Sequence, residues 1–427
     1  MHKELYNVLE GKRVYIWGAR IVGIGLLRHC MARNIDVQHL IDSDASIINR
    51  EILGKLVLSP EDFQDTYEKE PNKKECILII AASTKEAEII NTIKKNMIVD
   101  DLKIITYSNY QRDFYTIDIS GSCNLKCLSC AHSIEDHDTP LGLMDYSNFT
   151  KVVDKIISEA PETSHVSLYS WGEPLLHPRI DEMVNYLHDR NIAVGLSSNL
   201  SHINSKIIDK IGTYSPDYLK ISLSGYYDEA YNSTHQGGDI ELVKSNLYRL
   251  KYVLKKSNSS TLVDINYHLY KNNNCKNLAK MQELANELGF LMSTTYALVM
   301  PLERVIDHCN QNASEQTKAL SKNLLVDIDE GIDASKNIKL DGICPFRENQ
   351  ININADLTVP VCCLVFNREH LVSNNYLKDS LESIDENKQK EALCNTCMRL
   401  NLPQYNMGFN KDRWHEISAG KISEDNI

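Results

Sequence analysis

The sequence predicts an α/β protein in three units. These are a small doubly wound sheet over 1–110, a partial barrel of six strand–helix units over 111–305, and a small cysteine-bearing unit over 341–405. Three observations carry this reading. Apolar strand-like runs alternate with amphipathic helical runs through the first three hundred residues, the mark of parallel sheets. Glycines, acids and hydroxyls recur at the ends of those strands. Seven of the 12 cysteines fall in two groups, one after the first barrel strand and one near the end of the chain. A chain of 427 residues is also too long for one ordinary core.

The first unit opens with the buried-strand run Val14-Tyr15-Ile16-Trp17, which Gly18-Ala19-Arg20-Ile21-Val22-Gly23 turns into an apolar helix ending near Asn34. A strand over 37–41 ends at Asp42, and a strand over 77–82, a helix over 84–95 and a strand over 103–107 follow. The glycine turn resembles a Rossmann fingerprint with Asp42 in the ribose-binding place, although its middle glycine is Arg20. The unit is similar to the small Rossmann-like domains attached to nucleotide-sugar and polysaccharide-modifying enzymes. That resemblance implies a site for a phosphate- or nucleotide-bearing group, in which Arg20 would crowd a dinucleotide but could pair with a phosphate. A structural or docking role is the alternative.

The barrel begins with a strand at Phe114-Tyr115-Thr116-Ile117-Asp118-Ile119. Its helices are expected over 146–160, 178–190, 204–211, 240–255 and 275–289, the last stopped by Gly289. The intervening strands are expected over 165–169, 192–196, 218–223, 262–269 and 291–296. Such a repeat curls a parallel sheet and collects active residues at its C-terminal strand ends. Residues 306–340 read as a polar helical connector. In the third unit, residues 351–362 read as a hairpin turning at Ala355-Asp356. The tail over 406–427 is polar and expected to be loosely held.

Directly after the first barrel strand stands Cys123-Asn124-Leu125-Lys126-Cys127-Leu128-Ser129-Cys130, a C-x₃-C-x₂-C loop. Three thiolates so spaced can take three corners of a cubane iron–sulfur cluster and leave one iron open. Zinc would need a fourth donor, for which His132 is the near candidate. About forty residues further on, the strand His165 to Tyr169 runs into Ser170-Trp171-Gly172-Glu173-Pro174. Together the loop and this strand end resemble the two signatures of the radical S-adenosylmethionine (radical SAM) enzymes, the second being their "GGEP" with Trp171 for its first glycine.

The resemblance implies a [4Fe–4S] cluster on Cys123, Cys127 and Cys130, with S-adenosylmethionine on its open iron. Gly172 and Glu173 would then meet the cofactor's amino group, while Ser222 and the polar strand end Ser197-Ser198-Asn199 would meet the rest of it. Read singly, those hydroxyl and amide residues are equally turn formers or helix caps. Asn272 is a weaker candidate. Two departures stand out: Gln236 lies where many relatives carry an Arg for the cofactor carboxylate, and Ser129 where they often carry an aromatic residue.

Cys344, Cys362, Cys394 and Cys397 form the second group. Their arrangement resembles the shortened SPASM type called a twitch domain, which implies an auxiliary [4Fe–4S] cluster with every iron ligated by thiolate. Cys363 could exchange with Cys362, and zinc on the same four thiolates is the competing reading. Cys30, Cys76, Cys275 and Cys309 are isolated and read as packing residues.

Composition narrows the function further. A net charge of −12 without a Lys/Arg stripe argues against nucleic acid, and no apolar run reaches membrane length. The start lacks the basic-then-apolar order of a signal peptide, and reduced cysteines suit a cytoplasmic chain. The expected enzyme generates a 5′-deoxyadenosyl radical with electrons from a reductant such as flavodoxin or ferredoxin. It would oxidise a carbohydrate-like or nucleotide-linked small molecule. A peptide-modifying enzyme and a non-catalytic iron–sulfur or zinc scaffold are the alternatives.

Overall fold

Two parallel sheets are joined through one helix. The computed structural model describes residues 2–82, 85–97, 99, 101–111, 113–134, 142–340 and 342–421. In the first unit the elements are α1 (His2–Leu9), β1 (Arg13–Trp17), α2 (Ile21–Ala32), β2 (Asp36–Ile41), β3 (Glu51–Ile52), β4 (Lys55–Leu58), α3 (Pro60–Glu68), β5 (Cys76–Ile80), α4 (Glu86–Asn96) and β6 (Lys103–Thr106). Sheet order is β3-β4-β2-β1-β5-β6, parallel except for the β3–β4 hairpin. Every residue of β5 is buried, as a strand covered on both faces requires. The sequence reading passed over α1, α3 and the hairpin. Ser59, whose side chain caps α3 through the Asp62 amide, and Pro60 at its first position were legible signals. The expected start of α4 at Thr84 lies outside the described residues.

The first unit is not separate from the barrel. Leu26 and Leu27 of α2 share a core with Ala193, Leu262 and Leu291, residues at the N-terminal ends of barrel strands. Arg28 pairs with the buried carboxylate of Asp217. Arg20 reaches Asp44 at 2.6 Å on one side and, on the other, bonds Asp264, which is only 1% exposed. The side chain that breaks the Rossmann fingerprint is therefore spent on docking. Its reading as a free phosphate partner is corrected.

The barrel contains β7 (Phe114–Ile117), α5 (Tyr146–Glu159), β8 (His165–Ser167), α6 (Ile180–His188), β9 (Ala193–Ser198), α7 (Ser205–Tyr214), β10 (Tyr218–Leu223), α8 (Asp228–Asn232), α9 (Ile240–Lys256), β11 (Leu262–Leu269), α10 (Lys276–Leu288) and β12 (Leu291–Tyr296). Six parallel strands pair in sequence order, as the repeat predicts. Alternation on β10 orients the sheet. Leu219, Ile221 and Leu223 are buried in the core under the helices, while Tyr218, Lys220 and Ser222 are half-buried on the opposite, luminal face.

Beyond the barrel come α11 (Leu302–Cys309), α12 (Glu315–Asn323), α13 (Ile328–Ser335), α14 (Pro345–Glu348), β13 (Gln350–Ile353), β14 (Val359–Pro360), β15 (Leu371–Ser373), α15 (Leu381–Lys390), α16 (Ala392–Arg399), α17 (Leu402–Asn406) and α18 (Lys411–Ala419). The chain turns at 355–356 as expected, but no hairpin ladder forms. Instead β13 adds in parallel to β7 as a seventh strand, and β14 pairs with β15. An edge of β7 left by the open barrel supplies the pairing groups that a local partner would otherwise supply. The expected loose tail is also corrected over 406–421. There α18 buries Trp414, whose ring lies 5.4 Å from Tyr296 and 5.9 Å from Tyr405.

Candidate active site

The cysteine loop leaves the C-terminal end of β7 and is held from two sides. The amides of Lys126 and Leu128 donate to the carbonyls of Gln236 and Thr234, at 3.0 and 3.1 Å. Asn124 donates to the Ser201 carbonyl at 2.7 Å, and Asn199 donates to the Asn124 side chain at 2.9 Å. Asn199 also lies 3.7 Å from the Cys123 sulfur. Gln236 therefore serves the loop through its carbonyl, and its own side chain is exposed.

Cys123, Cys127 and Cys130 are drawn together. Burial pushes the Cys123 thiol up to about 12, with Glu173 and Cys130 adding to the rise. Cys127 is raised by burial and then by Cys130 and Cys123, and Cys130 chiefly by burial. Thiols raised in this way give up their protons when a cation such as iron or zinc offsets the charge. Among the described residues no set of three or more His, Cys, Asp or Glu stands close enough to share a single metal ion.

Gly172 fits its place only because it lacks a side chain. A Cβ there would lie 1.5 Å from the Ser120 carbonyl oxygen, backbone against backbone. This lets the strand end after β8 lie flat on the start of the cysteine loop, where the Glu173 amide donates to the Ser122 carbonyl at 2.9 Å. The Glu173 carboxylate is 2% exposed and already accepts from the amides of Leu175 at 3.0 Å and Asn199 at 2.8 Å, with His202 Nε2 at 3.4 Å. Its first task is to lock the ends of β8 and β9 together. Each oxygen keeps one lone pair beyond those bonds.

Ser197 and Ser222 stand side by side on the luminal face of the adjacent strands β9 and β10, 3.3 Å apart between hydroxyls. Deeper in the same face, the Lys220 ammonium lies 5.1 Å over the Tyr169 ring. Asn272 does not join the site. It is exposed and donates to Ser233, whereas the adjacent Asn273 is fully buried and ties the carbonyls of Ser224 and His268 together at 2.7 Å each.

Asp118 was missed by the sequence reading. Burial raises it to about 7, against backbone donors from Trp171, Gly172, Ser120 and Ser170 that favour its charge. It therefore holds the Trp171–Gly172 turn from beneath. An acid set within the predicted alternating run, one residue past the end of β7, was its only signal.

The second cysteine group also converges, across more than fifty residues of sequence. Cys344, Cys362 and Cys397 are each under 9% exposed. Burial raises Cys362 first, then Cys363, Cys397 and Cys344. Cys397 is raised by burial and next by Cys344 and Cys394. Cys394 rises to about 11, with the Arg347 guanidinium opposing through its charge and a hydrogen bond. Cys363 is raised to about 12 by burial and lies within reach of Cys344.

The segments that carry the two groups touch. Phe366, close after Cys362 and Cys363, packs edge-on against Trp171 at 5.3 Å and His132 at 6.0 Å. Elsewhere, a cavity of about 540 Å³ opens at the C-terminal edge of the first sheet between Gly18, Asp42, Ala82 and Lys411. The Asp42 carboxylate is there taken up by the amides of Ala19 and Asp44 at 3.0 Å each.

Residues 117–269 match the Radical SAM superfamily. Among curated proteins, the chain is 30% identical over 108 residues to the tungsten-containing aldehyde ferredoxin oxidoreductase cofactor-modifying protein of Pyrococcus furiosus, covering 25% of this chain and 29% of that protein. It is 25% identical over 183 residues to the AdoMet-dependent heme synthase of Methanosarcina barkeri, covering 43% and 49%. The chain thus spans less than half the length of either relative. Among solved structures, anSMEcpe with bound AdoMet aligns with a TM-score of 0.46 at 16% identity, covering 73% of this chain and 94% of that one. No helix among the described residues is long and apolar enough to cross a membrane.

Proposed function

We propose, for a chain whose residues 117–269 are a radical SAM domain, that it dehydrogenates a carbohydrate-like or nucleotide-linked small molecule. When bound, a [4Fe–4S] cluster and S-adenosylmethionine supply a 5′-deoxyadenosyl radical, and an auxiliary [4Fe–4S] cluster supplies a one-electron acceptor. Cys123, Cys127 and Cys130 would hold the first, and Cys344, Cys362, Cys394 and Cys397 the second. Gly172 leaves room for close approach at the strand end. Glu173 keeps that end fixed and offers its remaining lone pairs to the cofactor's ammonium. Ser197, Ser222 and Asn199 offer hydroxyl and amide partners beside it.

The observation that supports the reading is the packing of Phe366, from the segment that follows Cys362 and Cys363, against Trp171 and His132 beside the first cysteine loop. Substrate held between the two thiol groups can lose a hydrogen atom on one side and an electron on the other. A carbinol held there would become a carbonyl by giving up one hydrogen atom to the adenosyl radical, one electron to the auxiliary cluster and one proton to a base. The balance is a two-electron oxidation. A lumen lined by Ser197, Ser222, Asn266 and Lys220 favours a polyol over an apolar substrate. An external one-electron reductant completes the cycle.

Anaerobic reconstitution tests this. The protein should turn brown, bind about eight irons, and after reduction convert S-adenosylmethionine to 5′-deoxyadenosine and methionine. Cys127→Ala should bind about half the iron and form no 5′-deoxyadenosine. A colourless, zinc-loaded protein defeats the proposal. Deuterium passing into 5′-deoxyadenosine from a peptide, and from no sugar or nucleotide-linked substrate, replaces it with the peptide-modifying reading.

A further inference from the structure

Arg304, in the first turn of α11, is a buried cation without a carboxylate partner among the described residues. It is 7% exposed. Its Nε donates to the Thr317 hydroxyl at 2.9 Å, and its Nη1 donates to the carbonyls of Leu128 at 2.9 Å and Met300 at 3.1 Å. All three acceptors are neutral. Its Nη2 is buried with no hydrogen-bond partner among the described residues. The neighbouring carboxylate of Glu303 turns elsewhere, accepting from the amides of Phe366 and Asn367 at 2.8 Å each. Burying a guanidinium in this way is costly unless something of opposite charge offsets it.

The offset lies in the cysteine loop. Leu128 stands between Cys127 and Cys130, so the bond to its carbonyl fixes the guanidinium beside the third thiol. Among the described residues, Cys130 is the group that favours the Arg304 cation against burial. A neutral thiol gives little in return. Three thiolates round a cubane core leave one net negative charge, and one-electron reduction makes it two. Nearby charge and hydrogen bonds to sulfur are among the protein's means of setting a cluster's potential.

We infer that Arg304 is a positioning residue for the first centre: its guanidinium, pinned inside the cysteine loop, is the buried positive charge that favours reduction of a cluster held by Cys123, Cys127 and Cys130. This rests on the proposal that those three cysteines hold a cluster. The adjacent Glu303 and the Leu302 amide, which donates to the Leu364 carbonyl at 2.8 Å, tie the same helix turn to the segment after Cys362 and Cys363. One turn of α11 therefore grips both thiol groups.

The test is an EPR-monitored redox titration of the full-length reconstituted protein, following the signal that changes when S-adenosylmethionine is added. At the poise that half-reduces the wild-type cluster, Arg304→Gln should keep its iron but lower the reduced-to-oxidised ratio about tenfold, ~59 mV for one electron. Arg304→His, neutral at pH 8, should do the same there and serves if the Gln variant does not fold. Arg304→Lys, which restores the charge, should return the ratio to within about threefold of wild type. A purely structural role would alter iron content or stability and leave the ratio alone. An unchanged ratio in an iron-loaded neutral variant overturns the inference. Wild-type protein that takes up no reducible cluster overturns both this and the functional proposal.

Discussion

Gly172 is the residue on which the site's geometry is least forgiving. Its missing side chain faces the Ser120 carbonyl, and neither partner is a side chain that could swing aside. Gly172→Ala should therefore cost about 2–3 kcal/mol in urea unfolding and weaken S-adenosylmethionine binding at least tenfold, with the far-ultraviolet circular dichroism unchanged. Binding within twofold of wild type, measured calorimetrically on reconstituted protein, would show that the strand end tolerates displacement. At this scale the three loop cysteines and Gly172–Glu173 were legible, because their spacing is local. The double engagement of the Glu173 carboxylate was not, since its partner Asn199 lies 26 residues away.

Among elements, the barrel strands β10, β11 and β12 begin and end where apolar alternation says they should. Their pattern is set by what each face touches, and both faces are read from adjacent residues. The late elements obey a different rule. β13 reads as half of a hairpin but pairs with β7, because a neighbouring edge outcompetes a short local partner. α18 reads as a polar tail, with a mean composition that hides one anchor. Trp414→Ala should lower stability by about 3 kcal/mol, and Trp414→Phe by clearly less, as judged by chemical denaturation. Equal stability of Trp414→Ala and wild type would mean that α18 is not docked on Tyr296 and Tyr405.

For the whole molecule, the first unit closes the N-terminal end of the barrel, the end opposite the cysteine loop. Arg20 is the clamp, set between Asp44 of its own unit and Asp264 of β11. Removing the half-buried guanidinium leaves the buried Asp264 carboxylate with only the hydroxyls of Tyr218 and Ser293 as donors among the described residues. Arg20→Met should destabilise the protein by about 3 kcal/mol, and the Arg20→Met/Asp264→Asn double variant should regain most of it. Additive losses in that cycle would show that the two side chains do not act as a pair. What the sequence determined by itself was the α/β class and the count and order of barrel strands, since each is written in periods of a few residues. Only the tertiary structure decided how the units meet. Arg20 stands 244 residues from Asp264, and Arg304 stands 176 from Leu128. A charge's role depends on which opposite charge folding brings beside it, and no local pattern along the chain records that distance.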